Sequence, residues 1–225
     1  MTGSRTTAER LVEVAGEIFA RSGPKATVRE ICGSANCSVA AINYHFGDKA
    51  ELYRQCVAAA VDRKLRLFPT PRVEDSCPAP VLLREFLRAI TNRMTSPENL
   101  PWQNTLMLRE VLSPSEGVKL QLQEAFSKDF EALSEIVGRL LDGCDCVNLR
   151  QEFTLQIVAR CMFLRTGSNL REILGLVSDR TEDPQQYADS ICESVIHQVN
   201  SIRRLNGIEP LSPESTKGIL EAGRI

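Results

Sequence analysis

The stretch Thr27–Lys49, TVREICGSANCSVAAINYHFGDK, decides how this chain folds. Its punctuation is that of two short helices joined by a tight turn, with a third helix beginning at its end. Thr27 stands three residues before Glu30, the spacing at which a hydroxyl and a carboxylate satisfy the free N–H groups of a helix start. Val28, Ile31 and Cys32 follow at helical spacing and face inward. Asn36 falls at the turn, where a short polar side chain tolerates the left-handed conformation that ends a helix. Cys37 is small enough to bury, and Ser38 caps the second helix. Gly47 stops that helix, and Asp48 caps the next with Glu51 as a second capping box.

The helix from Ser38 to about Tyr44 carries the chemistry. Ile42 and Phe46 point into the core, which leaves Val39, Ala40, Asn43 and Tyr44 outward. Small residues let a helix sit deep in a DNA major groove. Val39 or Ala40 can touch a thymine methyl, and Asn43 can make a bidentate contact with adenine. His45 and Lys49 lie where a helix end meets the phosphate backbone.

Ile31, Ala35, Ser38, Ile42, Tyr44, His45, Phe46, Lys49 and Leu52 form I-x-x-x-A-x-x-S-x-x-x-I-x-Y-H-F-x-x-K-x-x-L. Over about the first 66 residues this resembles the DNA-binding domain of the TetR family of bacterial repressors. The family usually has Ala-Gly-Val-Ser at the turn; here it is Ala35-Asn36-Cys37-Ser38, and Cys32 stands where alanine is common. The changes are sterically mild. The resemblance implies double-stranded DNA as partner, bound as a palindromic operator by a homodimer. Arg5, Thr27, Ser38, Tyr44, His45 and Lys49 would then position the protein on phosphates, while Val39, Ala40 and Asn43 read bases.

Composition fits a two-module reading. The net charge of the 225 residues is only −2, which by itself argues against nucleic acid. Its distribution answers this: residues 1–66 hold ten basic and seven acidic side chains, so a basic N-terminal module sits on an acidic remainder. No apolar run approaches the roughly 18 residues that span a membrane, and the polar start MTGSRTTAER lacks a signal-peptide core, so the expected location is cytoplasmic. Eight cysteines are many, but Cys32, Cys37, Cys56, Cys77, Cys161 and Cys192 lie mostly within apolar helical patterns, as small buried thiols. Two histidines and a single close cysteine pair, Cys144 and Cys146, make a zinc site an unfavoured reading; no metal and no cofactor are expected.

Everything else reads as helix, with no strand alternation: an all-α chain. Thr6 caps a first helix to Ser22, with Leu11, Val14, Ala15, Ile18 and Phe19 on one face. A fourth helix runs from Lys49 to about Leu67, which closes a DNA-binding module at residues 1–67. The proline-rich stretch FPTPRVEDSCPAP, 68–80, is the boundary. A second module, 81–207, then holds helices at about 81–95, 102–112, 113–142, 148–166, 169–176 and 183–207, and 208–225 is a tail. Ser113-Pro114-Ser115-Glu116 reads as the start of the long helix.

The second module resembles the ligand-binding and dimerisation domain of TetR proteins, and LREVLSP (108–114) with RCMFLRTG (160–167) looks like the CecR-type subgroup. The resemblance implies a small-molecule effector and a dimer paired through helices at about 148–166 and 185–205. Bulky pocket candidates are Trp102, Met107, Phe126, Met162 and Phe163, with Arg109 and Arg165 as cations in otherwise apolar helices; plain core, or a salt bridge of Arg109 with Glu110, is the alternative for each. Two rival readings stand beside the repressor. One is a redox- or metal-responsive regulator of the same fold, switched at Cys144 and Cys146. The other is an enzyme, which has little behind it: there is no Gly-rich phosphate loop, no G-x-S-x-G and no paired-histidine motif.

Overall fold

The computed structural model describes residues 6–96, 100–144, 147–175 and 183–212, with residues 147 and 164–171 described by backbone alone. Among the described residues every regular element is helical. In chain order these are α1 (Thr7–Ser22), a 3-10 turn (Gly23–Lys25), α2 (Val28–Ala35), α3 (Val39–Phe46), α4 (Lys49–Leu67), α5 (Ala79–Thr95), α6 (Pro101–Leu112), α7 (Lys119–Leu140), α8 (Val147–Ile173) and α9 (Pro184–Leu205).

The helices group into two compact units. One takes in Met1–Leu67 and Pro97–Phe126, the other Phe68–Ser96 and Ser127–Ile225. This differs from a cut at the proline-rich stretch, because α6 groups with α1 and α4. The reason is the face α6 presents. Trp102, Leu106, Met107 and Glu110 recur at three and four, are all buried, and share one core with Leu11, Ala15 and Phe19 of α1 and Tyr53, Val57 and Ala60 of α4. Each fully buried Leu or Phe contributes roughly 1.5–3 kcal/mol. Phe19 and Tyr53 meet edge to face at 4.8 Å. Gly16 makes room for the indole of Trp102: a Cβ there would come within 2.6 Å of its ring carbons.

Glu110 is 0% exposed. Its carboxylate accepts from the Tyr53 hydroxyl, from the Ser115 N–H at 2.8 Å and from the Ser115 hydroxyl at 3.0 Å. Burial, and then the hydrogen bond to Glu110, push the Tyr53 phenol well above its ordinary range. The same bonds explain why α7 starts at Lys119 and not at Ser113: Ser115 is turned back onto Glu110 and cannot lie in a first helical turn.

In the second unit Leu83, Phe86 and Leu87 of α5, Leu133 and Ile136 of α7, Ile157 of α8 and Ala188, Cys192 and Val195 of α9 form the core. Arg93, 6% exposed, donates to the Phe68 carbonyl, Asp129 and Thr70, and Arg88 pairs with Asp189 at 2.8 Å. Two cysteines of this core are fully buried, and burial pushes the thiols of Cys161 and Cys192 up to about 12, which keeps them protonated and poorly reactive. Helix α8 runs unbroken to Ile173, so residues 169–173 of the separate short helix expected at 169–176 are its continuation. Gly207 adopts φ 70° and closes α9, and residues 208–212 are not helical; the rest of the tail lies outside the described residues.

Candidate nucleic-acid interface

The site is built by local chemistry at three successive helix starts. At α2 the Thr27 N–H donates to Glu30 at 2.7 Å and the Glu30 N–H to the Thr27 hydroxyl at 3.2 Å, a complete capping box. The Thr27 backbone N–H, then its hydroxyl, holds the Glu30 carboxyl below the usual carboxylate range. Asn36 ends α2 at φ 47°, the one non-glycine residue with positive φ among the described residues. That left-handed step lets the Cys37 N–H reach the Cys32 carbonyl at 3.0 Å and turns the chain into α3. Ser38 caps α3, accepting from the Ala41 N–H at 3.3 Å. At α4 the Asp48 carboxylate accepts from the Glu51 N–H at 2.7 Å. The reciprocal half expected there is not made: Glu51 turns to Arg54 and Gln55 instead, and their hydrogen bonds, Gln55 first, lower its carboxyl pKa.

Helix α3 is fixed by one face and open on the other. Ile42 is 0% exposed and Phe46 packs against the same core. Val39, Ala40, Asn43, Tyr44 and His45 are all exposed, Val39 at 51% and Tyr44 at 85%. An apolar tyrosine and valine held out in water beside an amide have no packing role within the unit. They form a face with methyl groups, one amide and two ring edges, which is the kit for reading base edges and phosphates. Tyr44 and His45 stack edge to face with centroids 5.0 Å apart.

Lys49 is placed differently from the expectation of a phosphate contact alone. Its ammonium donates to the carbonyls of Pro24 at 2.8 Å and Ala26 at 2.9 Å, clasping the first turn of α4 to the segment that enters α2. Arg5 lies outside the described residues.

The pocket candidates are divided between the two units. Trp102 and Met107 are core of the first unit, 6% exposed each. Arg109 caps the end of α1, donating to the carbonyls of Ala20 at 3.5 Å and Arg21 at 3.0 Å, where a helix leaves its last carbonyls free. It does not pair with Glu110. Phe126 ends the first unit 39% exposed, whereas Met162 and Phe163 belong to the second unit, Phe163 44% exposed. The Arg165 side chain and Cys146 lie outside the description; Cys144 is half-buried against the second core. Among the described residues no cluster of metal-ligating side chains occurs, and no helix is long and apolar enough to cross a membrane. Two roles escaped the sequence reading: the Lys49 clasp, and Glu110 as the buried acceptor that binds Tyr53. The signal for the second was an acid in the middle of the apolar face of α6.

Comparison with known proteins agrees with this architecture. Residues 79–204 match the family model of the HTH-type transcriptional dual regulator CecR, C-terminal domain, and residues 11–56 match that of bacterial regulatory proteins of the tetR family. The HTH-type transcriptional dual regulator CecR of Shigella flexneri is 26% identical over 177 residues, covering 74% of this chain and 73% of that protein. Among solved structures, a transcriptional regulator from Pseudomonas aeruginosa superposes with a TM-score of 0.64 at 22% identity, over 88% of this chain and 92% of that one. The TetR family regulator PfmR from Thermus thermophilus superposes at 0.59 and 21% identity, over 85% and 96%. The fold, the helix-turn-helix and a match over more than half its length thus agree: this chain belongs to the TetR family of transcriptional regulators, with a C-terminal domain of the CecR type.

Proposed function

We propose that the protein is a homodimeric repressor acting in the cytoplasm, whose two α3 helices enter successive major grooves of a palindromic operator, and that a small-molecule effector releases it. The observation that carries this reading is the face of α3: Val39, Ala40, Asn43 and Tyr44 stand exposed on a helix anchored by the fully buried Ile42. Val39 and Ala40 meet thymine methyls, and Asn43 pairs with adenine. Thr27, Ser38, Tyr44, His45 and Arg5 hold phosphates, and the Lys49 ammonium, with two of its three N–H groups on carbonyls, keeps one for a phosphate.

A stripe on α8 supports the dimer. Leu155, Ala159 and Phe163 are exposed at i, i+4 and i+8, an apolar line with no cover in the single chain. Small exposed residues, Ser190, Ser194 and Ser201, line α9 and permit close approach of a second copy. Release by an effector requires only that it bind the DNA-incompetent state more tightly; a hundredfold preference is worth about 2.7 kcal/mol. The Shigella relative is named a dual regulator, which favours activation at some operators as the second reading.

Selection of bound sites from random-sequence DNA tests the proposal. The expected product is a palindrome whose half-site centres lie roughly 34–36 Å apart, one helical turn. Enrichment of an unsymmetrical site, or of none over a range of salt, would overturn it.

A further inference from the structure

We propose that Cys32 and Cys37 form a redox-modification site, at which a hydroperoxide converts the two thiols to a disulfide across the turn of the helix-turn-helix. The way α2 ends builds the site. Asn36 takes φ 47°, its N–H reaches the Gly33 carbonyl at 3.4 Å, and the Cys37 N–H reaches the Cys32 carbonyl at 3.0 Å. This pair of bonds closes a helix with a left-handed residue, and it commonly brings two apolar side chains together at the positions held here by Cys32 and Cys37. The contact is therefore made by two thiols, and they hydrogen-bond to each other. Standard bond lengths across the backbone link hold the two Cα atoms roughly 5.5–6.5 Å apart, inside the disulfide range of about 4.4–6.8 Å.

The two sulfurs differ in access. Cys37 is half-buried, whereas Cys32 is 8% exposed. Burial, and then the bond to Cys37, push the Cys32 thiol up. The oxidant thus enters at Cys37, and Cys32 resolves. The thiolate form of Cys37 attacks the terminal oxygen of the hydroperoxide, the O–O bond breaks, and the departing oxygen takes a proton to leave as an alcohol. Cys37 is then a sulfenic acid. The Cys32 sulfur displaces its hydroxyl, which leaves as water with the Cys32 proton. In sum two thiols lose two hydrogens, one S–S bond forms, and the hydroperoxide is reduced to alcohol and water. Closing the sulfur contact to about 2.05 Å draws Cys37 towards α2. Cys37 stands one residue before Ser38, the cap of α3, so the bond displaces the start of that helix. A loss of DNA affinity by this route rests on α3 being the recognition helix.

Trypsin cuts after Arg29 and Lys49, so both sulfurs fall in one peptide, 30–49, which holds no other cysteine. The reduced full chain is treated with a small excess of hydrogen peroxide, denatured, alkylated with iodoacetamide, digested and weighed. Peptide 30–49 should be lighter by two hydrogens and carry no alkyl group, and dithiothreitol should restore both alkylation sites. In Cys32→Ala, Cys37 should stop at the sulfenic acid and be trapped by dimedone; in Cys37→Ala, Cys32 should stay reduced. Binding of the oxidised protein to its selected DNA site should weaken about tenfold and recover on reduction, with Cys32→Ala free of that reversible loss. Both cysteines still alkylated after peroxide, or Cys37 over-oxidised or joined to another chain while Cys32 remains free, would overturn the site. A disulfide that leaves DNA affinity unchanged would overturn its regulatory part. The mass measurement uses no DNA, so it is independent of how α3 is read.

Discussion

Replacing Glu110 with alanine removes the acceptor of three donors at once. Hydrogen bonds to a charged group contribute about 1.5–3 kcal/mol each, but desolvation of the carboxylate offsets much of their sum. What remains afterwards decides the magnitude. Tyr53 is 4% exposed, so its hydroxyl is stranded in an apolar core at a cost of about 1–3 kcal/mol. Ser115 is only half-buried, and its hydroxyl and N–H can find water. A cavity under α6 adds to the loss. Together these give about 3–4 kcal/mol for Glu110→Ala, and about 1–2 kcal/mol for Glu110→Gln, which keeps the shape and one carbonyl oxygen. Urea unfolding followed by fluorescence reads this unit directly, because the only tryptophan, Trp102, sits in the same core. In a Tyr53→Phe background the stranded hydroxyl is gone, so Glu110→Ala should cost about 1–2 kcal/mol less. A Glu110→Ala variant within about 0.5 kcal/mol of the parent, or full additivity with Tyr53→Phe, would refute the reasoning.

Further outcomes follow from other contacts. Gly16→Ala places a Cβ 2.6 Å from the Trp102 ring and should destabilise by about 1–3 kcal/mol in the same unfolding assay, although alanine is the better helix former; a gain in stability would mean the indole moves aside. Asn36 holds φ 47°, so Asn36→Val should cost about 1–2 kcal/mol while Asn36→Gly stays near neutral in thermal unfolding; equal effects would contradict the role of the left-handed turn. The buried thiols set an alkaline limit. Cys161 and Cys192 are raised from 9.0 to about 12, so their contribution is complete below pH 9 and is lost as pH rises from 9 towards 12, when the unfolded chain ionises first. At pH 10 this amounts to about 1–2 kcal/mol per thiol, and Cys192→Ala should flatten the decline; an unchanged pH profile would contradict it.

The helix-turn-helix was legible because its determinants are local. Capping at Thr27 and Ser38, the turn at Asn36 and the stop at Gly47 each depend on residues within a few positions, and the structure has all four. The outward set on α3 followed from one anchored residue, Ile42, and the helical period. What was not legible depended on long-range docking. The docking of α6 on α1 and α4 needs Gly16 opposite Trp102 and Tyr53 opposite Glu110, pairs far apart in sequence that no local pattern links. That docking explains why Trp102, Met107 and Arg109 are fixed in the first unit and Met162 and Phe163 lie in the second. Lys49 is instructive in the same way. A lysine at a helix start reads as a phosphate contact, and only the fold shows carbonyls at 2.8 and 2.9 Å from its ammonium.

The central claim is that α3 reads base pairs, and equilibrium binding of the Asn43→Ala protein to the selected site and to single-base variants tests it most directly. The account predicts a loss of about 1–3 kcal/mol on the selected site and relaxed preference at one symmetric adenine position, with the salt dependence unchanged. An unchanged base preference, or a uniform loss across all sequences with a shallower salt slope, would contradict it and make Asn43 a phosphate contact.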